Sequence, residues 1–505
     1  MRQLFFGSLF LLGMLTIFLM WYFQFMNFDL GKFILWVLVG LFVLGIYDVL
    51  QKKHTILRNF PLVGHFRYIL ESISPEIQQY FIESNTDGRP FSRNLRSLAY
   101  RRSKNANDTH PFGTQRDLNV VDYMALRHSI YAVSPDDIDP RITIGGEACL
   151  HPYSSSIFNI SAMSFGSLSA NAIKALNNGA KKGNFYHNTG EGGISTYHRQ
   201  GGDLVWQIGT GYFGCRDEHG NFDERKFSEK AAWPEVKMIE IKLSQGAKPG
   251  HGGVLPGVKN TPEIAGIRGV KAGTTILSPP SHSAFSNEDQ LIDFIAKLRK
   301  LSEGKPIGFK LCIGRTEEFI ALCKSMIAHQ IFPDFITIDG AEGGTGAAPL
   351  EFSDSVGLPL EPSLIFVRGT LVKFGIREKV KIIASGKALS AFSILKYIAL
   401  GADSCNSARG FMFSLGCIQA LRCNTNDCPT GVATQKAALQ KGLVVTDKSE
   451  RVYNFHKNTI HAVKELLGAS GHHHTTELTI QDLVRGDEMV TLANRYFPDS
   501  VNTQV

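Results

Sequence analysis

Two long apolar runs open the chain. Residues 4–25 consist almost entirely of Phe, Leu, Ile and Met, and residues 33–50 form a second run after a short polar connector. At about 1.5 Å per helical residue, either run can cross roughly 30 Å of hydrocarbon. The pattern therefore predicts a transmembrane helical hairpin within residues 1–53. A cleaved signal peptide fits less well, because the apolar core is too long and no small-residue cleavage site follows it.

The charges beside these runs predict their orientation. Arg2 precedes the first run, and Lys52, Lys53, His54 and Arg58 follow the second. Because basic residues are enriched on the cytoplasmic side of membrane proteins, both ends of the hairpin should face the cytoplasm. We therefore expect a two-pass membrane protein, in contact with lipid, whose catalytic body is cytoplasmic.

From residue 153 onward, short β-branched or apolar runs alternate with helical patterns. The eight candidate strands are residues 158–162, 185–188, 204–208, 238–243, 307–311, 335–339, 381–384 and 403–407. The helical patterns between them include residues 171–182, 289–301, 317–329 and 388–400. Such alternation is typical of βα units around a parallel sheet, and eight units suit a (β/α)8 TIM barrel. The predicted fold class is therefore α/β, with a barrel over residues 153–480 and functional side chains just past the strand ends.

Two further segments flank the predicted barrel. Residues 54–152 mix short helical patterns with basic, Asn-rich and Pro-containing loops and carry no recognisable motif. One helix is predicted at residues 75–83, with Ser74 as its N-cap. We expect this accessory segment to pack on the barrel, and residues 481–505 to form a C-terminal tail.

Composition narrows the class of protein. With 43% apolar and 20% charged residues, the chain can bury a large core, which argues against a disordered or fibrous protein. The net charge of +7 is modest, and the basic residues form no stripe interleaved with aromatics, so nucleic acid is not an expected partner. The 49 glycines cluster after short apolar runs, where backbone must approach a ligand closely. A cofactor-dependent enzyme is the best match.

Three of the eight cysteines crowd into one short segment. Cys417, Cys423 and Cys428 lie in a turn-rich loop soon after the eighth candidate strand, and Pro429 follows the last of them. Three thiolates in one such loop can hold an iron–sulfur cluster. A structural zinc would usually need a fourth ligand, and three unconnected free thiols are the remaining interpretation.

Glycine-rich loops follow several candidate strands. Residues 339–347 supply small residues whose N–H groups can line an anion or a flat ring. Ser385-Gly386 and Ala408-Arg409-Gly410 close the seventh and eighth strands, where barrels often bind phosphate. Together these loops suit a phosphorylated cofactor, although any single glycine could simply make a tight turn. Residues 209–214 match G-x-G-x-x-G, but a turn follows instead of a helix, so a dinucleotide fold is not predicted.

Charged residues inside or just after apolar strands form a second group. Lys242 and Lys310 lie within strands, and each needs an anion or the barrel mouth because burying an unpaired ammonium is very costly. Lys248 and Arg268 add positive charge after the fourth strand, which suits a dicarboxylate. Glu191 follows the second strand among glycines and could act as a general acid or bind ammonium.

Several blocks of sequence in this order carry a family resemblance. They are residues 160–166, 187–193, 206–216, 242–250 and 342–349, followed by the cysteine triplet. They resemble the FMN-binding synthase domain of the glutamate synthase large subunit, and the resemblance covers residues 153–435. It implies FMN in the barrel and a 3Fe-4S cluster on Cys417, Cys423 and Cys428. It also implies hydride transfer from reduced FMN to 2-iminoglutarate, formed from 2-oxoglutarate and ammonia.

The resemblance also implies roles for individual residues. Lys248 and Arg268 would hold substrate carboxylates, and Glu191 and Lys248 would act near the imine. Lys310 would lie beside the flavin N1/O2 edge. The full set of expected cofactor-binding residues is Ser161, Ala162, Met163, Ser164, Gln207, Lys242, Lys310, Asp339, Gly343, Gly344, Thr345, Gly346, Ser385, Gly386, Ala408, Arg409 and Gly410.

Departures from the family leave the exact reaction open. The full enzyme of the family begins with a glutaminase domain, whereas this sequence begins with the apolar runs, so free ammonia or an amine, as in N-methylglutamate synthases, is the expected nitrogen donor. The expected electron donor is a ferredoxin, a nicotinamide-oxidising subunit or a membrane redox partner. Alternatives are another 2-oxo acid or amine, selected near Val254, and a membrane redox-relay subunit without turnover.

Overall fold

The computed structural model describes residues 29–120 and 123–484, together with residues 7, 10–11, 13–19 and 21–22 near the N-terminus. The chain divides into two compact units, Met1–Gly88 and Arg89–Val505. This boundary falls inside the accessory segment expected at residues 54–152. Residues 89–152 therefore belong to the same unit as the barrel.

The N-terminal unit is helical. Its described elements are α1 (Asp29–Leu50), α2 (Thr55–Asn59), α3 (Gly64–Ile77) and a π-helix (Gln78–Ile82). Within the described residues, one helix is long and apolar enough to cross a membrane: the window Phe33–Leu50 has a mean hydropathy of 2.4, and 11% of it is buried. Of the first apolar run, residues 7, 10–11, 13–19 and 21–22 are described and are helical, and the rest of the run lies outside the described residues. A Cβ built on Gly13, within that run, would lie 2.7 Å from Phe42 Cε2 of α1.

The helix expected at residues 75–83 begins earlier than predicted. It starts at Gly64, so Ser74 lies inside the helix and does not cap it. Pro75 is typical of a first helical turn, which suggested a start there. The apolar residues Phe66, Ile69, Leu70 and Ile73 instead continue one helical face up to the proline, and this longer periodicity sets the start of the helix.

Eight parallel strands close into a barrel, which confirms the predicted fold class. The barrel strands are β4 (Phe158–Ile160), β5 (His187–Asn188), β6 (Leu204–Ile208), β7 (Val236–Lys242), β10 (Ile307–Leu311), β11 (Phe335–Asp339), β12 (Lys381–Ser385) and β13 (Ser404–Ser407). They follow one another around the barrel in chain order, and β13 pairs with β4 to close it. All eight predicted runs supply a strand. Parallel closure brings all eight carboxyl ends to one rim.

In the part of the chain that the structure describes, three two-stranded sheets accompany the barrel. They are β2 (Arg141–Ile144) with β3 (Tyr153–Ser156), β8 (Val254–Leu255) with β9 (Ile276–Leu277), and β1 (Ala125–Leu126) with β14 (Leu483–Val484). The β8–β9 hairpin is inserted between the neighbouring barrel strands β7 and β10, so the loop that follows β7 is long. This places an extended segment at the barrel rim.

Helices cover the outside of the barrel. Their bounds are α4 (Arg93–Ser103), α5 (Ala170–Gly183), α6 (Glu224–Ala231), α7 (Pro262–Arg268), α8 (Glu288–Leu301), α9 (Thr316–His329), α10 (Leu350–Ser355), α11 (Leu360–Lys373), α12 (Ala391–Ala399), α13 (Arg409–Ser414), α14 (Ala437–Gln440) and α15 (Val445–Ala469). Short 3₁₀ turns occupy Pro135–Asp137, Thr196–His198, Gly257–Lys259, Arg377–Lys379, Thr475–Glu477 and Ile480–Asp482. The helix predicted at residues 388–400 starts at Ala391, because the Ser390 side chain accepts the Ser393 N–H in a capping box.

Candidate active site

A cavity of about 340 Å³ lies at the carboxyl ends of the barrel strands. Its walls include every residue expected to bind the cofactor except Gly410: Ser161, Ala162, Met163, Ser164, Gln207, Lys242, Lys310, Asp339, Gly343, Gly344, Thr345, Gly346, Ser385, Gly386, Ala408 and Arg409. Gly410 lies inside α13, where a Cβ would be 2.6 Å from Ser407 Oγ. The volume is within the range of small-molecule sites, and the lining combines small residues with a few cations.

Lys310 and Asp339 form a buried ion pair across two neighbouring strands. Lys310 Nζ lies 3.1 Å from Asp339 Oδ2, which also accepts the Gly246 N–H at 2.9 Å. The Ser385 hydroxyl donates to Asp339 Oδ1 at 2.8 Å. Burial lowers the pKa of Lys310, but Asp339 and Glu240 outweigh burial and hold that pKa above its ordinary value. Lys310 is therefore a fixed cation in the cavity wall.

Gly246 allows the loop after β7 to approach the loop after β11. A Cβ at this position would lie only 1.8 Å from the Gly340 carbonyl oxygen. No side chain fits there, because the obstructing atom belongs to the backbone and cannot move aside. Glycine at this position is thus required for the two loops to meet at the rim.

Glu191 lines the cavity and pairs with Lys242. Lys242 Nζ donates to Glu191 Oε1 at 2.7 Å, and both side chains are largely buried. Burial raises the pKa of Glu191, but Lys242, Arg268 and Lys248 together outweigh it, so the pKa lies below its ordinary value. The carboxylate fits between two glycines, since a Cβ on Gly209 or Gly253 would lie 2.6 Å or 2.3 Å from a Glu191 oxygen. Gly209, the first glycine of the G-x-G-x-x-G match, thus leaves room for the Glu191 carboxylate and not for a phosphate of a bound dinucleotide.

Lys248 is buried beside the same cavity. Its ammonium donates to the carbonyl of Gly252 at 2.8 Å and to that of Ala347 at 3.3 Å, and Ala347 lines the cavity. Burial, with the neighbouring Lys242, lowers the pKa of Lys248 to about 8. Lys248 can therefore gain or lose a proton near neutral pH.

Arg268 approaches the cavity from α7. Its Nη2 donates to the Phe165 carbonyl at 3.2 Å and to Ser164 Oγ at 3.5 Å, and the guanidinium lies 5.2 Å from the Phe213 ring centroid. Burial lowers the pKa of Arg268 to about 10. Its Nε is buried and has no hydrogen-bond partner among the described residues. A buried donor of this kind is costly unless a ligand accepts from it.

Glu240 is a site residue that the sequence did not single out. It lies two residues before Lys242 on β7 and faces the barrel interior. Its Oε1 accepts from Asn188 at 2.8 Å and from Gln207 at 2.7 Å, and its Oε2 accepts from Thr337 at 2.6 Å. The alternation of strand side chains could have placed it inside the barrel, since it shares a face with Lys242. Glu240 fixes the orientation of Gln207, which lines the cavity.

Phe91 is a second residue missed by sequence analysis. It lies in the accessory segment and lines the cavity, and the Arg409 guanidinium is 4.8 Å from its ring centroid. The Gln419 side chain accepts the Phe91 N–H at 3.3 Å. No local signal marks Phe91, because it reaches the site from a segment more than sixty residues before the first barrel strand.

The three clustered cysteines line a smaller cavity of about 80 Å³, also bordered by Phe91 and Arg409. Cys423 lines both cavities. Burial raises the pKa of Cys417 to about 12, whereas hydrogen bonds from Thr430 and nearby backbone outweigh burial and lower that of Cys428. No group of three His, Cys, Asp or Glu side chains among the described residues is arranged as a ready metal site. The residue types nonetheless suit an iron–sulfur cluster, since three thiols line one small cavity.

Comparisons with known proteins show the family to which the chain belongs. The family described as a conserved region in glutamate synthase matches residues 127–473. The glutamate synthase large subunit-like protein YerD of Bacillus subtilis is 40% identical over 470 residues, covering 84% of this chain and 89% of that protein. The archaeal glutamate synthase [NADPH] of Methanocaldococcus jannaschii is 37% identical over 315 residues, covering 62% of this chain and 58% of that protein.

Solved structures give a weaker likeness. A mandelate oxidase bound to (S)-2-phenylpropionate has a TM-score of 0.44 at 14% identity, covering 77% of this chain and 97% of that one. The flavin-binding domain of baker's yeast flavocytochrome b2 has a TM-score of 0.44 at 12% identity, covering 84% and 86%. Both scores are too low to bear on function.

Replacing Glu240 by Leu tests its positioning role. A glutamine amide keeps one oxygen, which can still accept from Asn188 and Gln207, so the decisive variant is Glu240→Leu. Leucine accepts no hydrogen bond, and Gln207 therefore loses its fixed orientation. Hydrogen bonds to a charged group contribute about 1.5–3 kcal/mol, so the affinity of the apoprotein for FMN should fall about tenfold or more. Flavin fluorescence titration measures this. Glu235→Leu, at the residue just before the same strand, is the matched control, and an equal loss in both variants would contradict the proposed role.

Proposed function

Because this chain belongs to the glutamate synthase family, we propose that it is an FMN-dependent oxidoreductase that reductively aminates 2-oxoglutarate. The nitrogen donor is ammonia or a small amine, and the reducing electrons arrive through a 3Fe-4S cluster. The electron donor is a small redox protein such as a ferredoxin, or a nicotinamide-oxidising subunit.

The observation that carries the proposal is the position of Lys248 and Arg268 beside the cavity. Both cations are almost fully buried, and the Arg268 Nε–H has no partner among the described residues. A redox relay needs no pocket for a dicarboxylate substrate. A substrate with two carboxylates would satisfy both groups, because charge-assisted hydrogen bonds to carboxylate are among the strongest that a protein can make.

The larger cavity fits FMN by its shape and its donors. The small residues Gly343 and Gly344 allow a flat ring to approach the backbone, and Arg409 and the loop at Ser385 suit a phosphate. Lys310 would stabilise negative charge on the ring. When bound, FMN would supply the hydride.

The remaining residues would handle the substrate and its protons. Lys248 and Arg268 would bind the two carboxylates and fix the orientation of the 2-oxo carbon. Glu191, held ionised by Lys242, would attract ammonium or the iminium nitrogen. Lys248, with its pKa of about 8, would also exchange a proton with the substrate during carbinolamine dehydration.

The cysteine cavity supports the cluster part of the proposal. Cys417, Cys423 and Cys428 would supply three thiolates, and Cys423 borders both cavities, so the two cofactors would lie close together. The cluster would supply one-electron transfer. Lys259 is buried nearby and donates to the Cys423 carbonyl at 3.3 Å, which holds the cysteine loop against the rim.

A related activity is a second candidate. Val254 lines the cavity, and an apolar side chain there could select a different 2-oxo acid or accept the alkyl group of an amine. This would make the reaction similar to that of N-methylglutamate synthases.

We also propose that the chain is anchored in the membrane through residues 1–53, with the catalytic unit in the cytoplasm. The apolar window Phe33–Leu50 and the basic residues that follow it support this placement.

Reoxidation of the reduced protein tests the proposed reaction. The full chain, purified anaerobically in detergent, is reduced and mixed with 2-oxoglutarate, with ammonium or with both. The flavin absorbance should recover rapidly only with both, and the oxidised protein should give a three-iron EPR signal that is lost in Cys423→Ser. Recovery with methylammonium in place of ammonium would favour the related activity. Cofactors without reoxidation by any pair would contradict the amination proposal.

Replacing Arg268 by Ala tests the carboxylate role. Truncating one partner of a buried charge pair typically costs 2–5 kcal/mol, so kcat/KM for 2-oxoglutarate should fall roughly 30-fold or more. Arg216, which stacks on the same Phe213 ring at 5.6 Å, is the control, and Arg216→Ala should leave this value within a few-fold. Unchanged kinetics in Arg268→Ala would exclude the assigned role.

The pKa of Lys248 predicts a pH dependence. Below about pH 8 the ammonium is charged and can pair with a carboxylate, and above that pH it is neutral. The value of kcat/KM for 2-oxoglutarate should therefore fall as the pH rises through about 8. Lys248→Arg keeps its charge at every accessible pH, so this alkaline decline should move upward or disappear. A decline at the same pH in this variant would assign the titration to another group.

A further inference from the structure

The N-terminal unit has a long exposed apolar helix face. Helix α3 runs directly into the π-helix, so residues 64–82 form one continuous segment, here called the amphipathic segment. The exposed large apolar side chains along it are Phe66, Ile69, Leu70, Ile73, Tyr80, Phe81 and Ile82. An exposed apolar surface of this extent is uncommon in a soluble protein and indicates a contact surface.

The spacing of these side chains places most of them on one face. At 100° per residue, Phe66, Ile69, Leu70, Ile73 and Ile77 fall within a sector of about 120°. The opposite face is polar and has its own partners. Arg67 pairs with Glu71 at 2.8 Å, and Tyr68 packs edge-on against His54 with ring centroids 5.5 Å apart. The apolar face is therefore turned away from the polar contacts of this unit.

A buried carboxylate ties the start of this segment to the end of the apolar helix α1. Asp48 lies in the last turn of α1 and is fully buried. It accepts the Leu62 N–H at 2.9 Å and lies 3.0 Å from His65 Nε2 with both of its oxygens. An unpaired carboxylate at this position would be very costly, so the interaction fixes the turn between the two helices. The amphipathic segment thus begins at the level where the proposed membrane span ends.

The surroundings of this turn suit the surface of a membrane. Side chains of α1 such as Phe33, Trp36 and Leu50 are strongly exposed, as expected for a helix surrounded by lipid. Lys52 and Lys53 follow directly and would attract anionic lipid headgroups. A helix with one apolar face, adjacent to a span and flanked by basic residues, has the features of an interfacial helix.

We propose that the amphipathic segment lies in the plane of the cytoplasmic membrane surface, with Phe66, Ile69 and Ile73 buried at the boundary between lipid headgroups and acyl chains. The Asp48–His65 contact holds it there by fixing the turn that follows α1. The partner is therefore the lipid bilayer. This inference depends on the proposed membrane anchor but not on the proposed reaction.

Site-directed photocrosslinking tests the inference. The photoreactive residue p-benzoylphenylalanine is incorporated into the full chain at position 73, and at position 71 as the matched control on the opposite face. A third variant carries it at position 36 in α1, where Trp36 is strongly exposed. Each protein is reconstituted in vesicles of phosphatidylethanolamine and phosphatidylglycerol, irradiated and analysed by mass spectrometry. We expect lipid adducts at positions 73 and 36 and only background at position 71.

A lipid adduct at position 36 without one at position 73 would overturn the interfacial helix and leave the membrane anchor intact. Lipid adducts at neither position would overturn both. A crosslink from position 73 to residues 89–484 of the same chain, or to a second copy, would show that protein covers this face instead. Equal lipid adducts at positions 73 and 71 would contradict the proposed orientation.

Discussion

The pairing of buried charges at the barrel rim is the constraint on which the site depends. Closing eight parallel strands brings every carboxyl end to one place, where little water can reach the side chains. A charge in such a place must find an opposite charge or several hydrogen bonds. Lys310 with Asp339, and Lys242 with Glu191, meet this requirement at contact distance. Each pair joins two different strand ends, so the pairs also fix the loops relative to one another.

Lys248 and Arg268 differ from these pairs. Within the described residues, their hydrogen bonds go to carbonyl or hydroxyl oxygens, and the Arg268 Nε–H has no partner. Lys248 and Arg268 can therefore still bind an anion. The charges of Lys242 and Lys310 are already paired with carboxylates of the protein. The distinction between paired and incompletely satisfied cations is what separates the wall of the cavity from the two groups proposed to bind substrate. Deeper in the barrel, the buried carboxylate of Glu240 is satisfied by hydrogen bonds, one of which holds Gln207 in place.

The need to pair a buried charge also applies in the N-terminal unit. Asp48 interrupts the apolar window Phe33–Leu50, and the cost of burying its carboxylate is offset by the Leu62 N–H and the His65 ring. The interaction turns the chain at the end of the helix and sets where the amphipathic segment begins. In both units a buried carboxylate thus determines how neighbouring elements are joined.

The sequence by itself determined the barrel, its eight strands, the candidate loops and the apolar N-terminal window, because hydrophobic periodicity and strand direction are local properties of the chain. All but one of the residues that the family resemblance marked for cofactor binding lie in the cavity wall, since parallel strands must end at a common rim. Only the tertiary structure decided that Gly410 packs inside a helix, that Phe91 reaches the cavity from the accessory segment, and that Glu240 orients Gln207. The tertiary structure also showed that the helix predicted to begin after Ser74 begins at Gly64. These features depend on contacts between residues far apart in the chain, which arise only when barrel closure sets the register between strands and brings distant segments together.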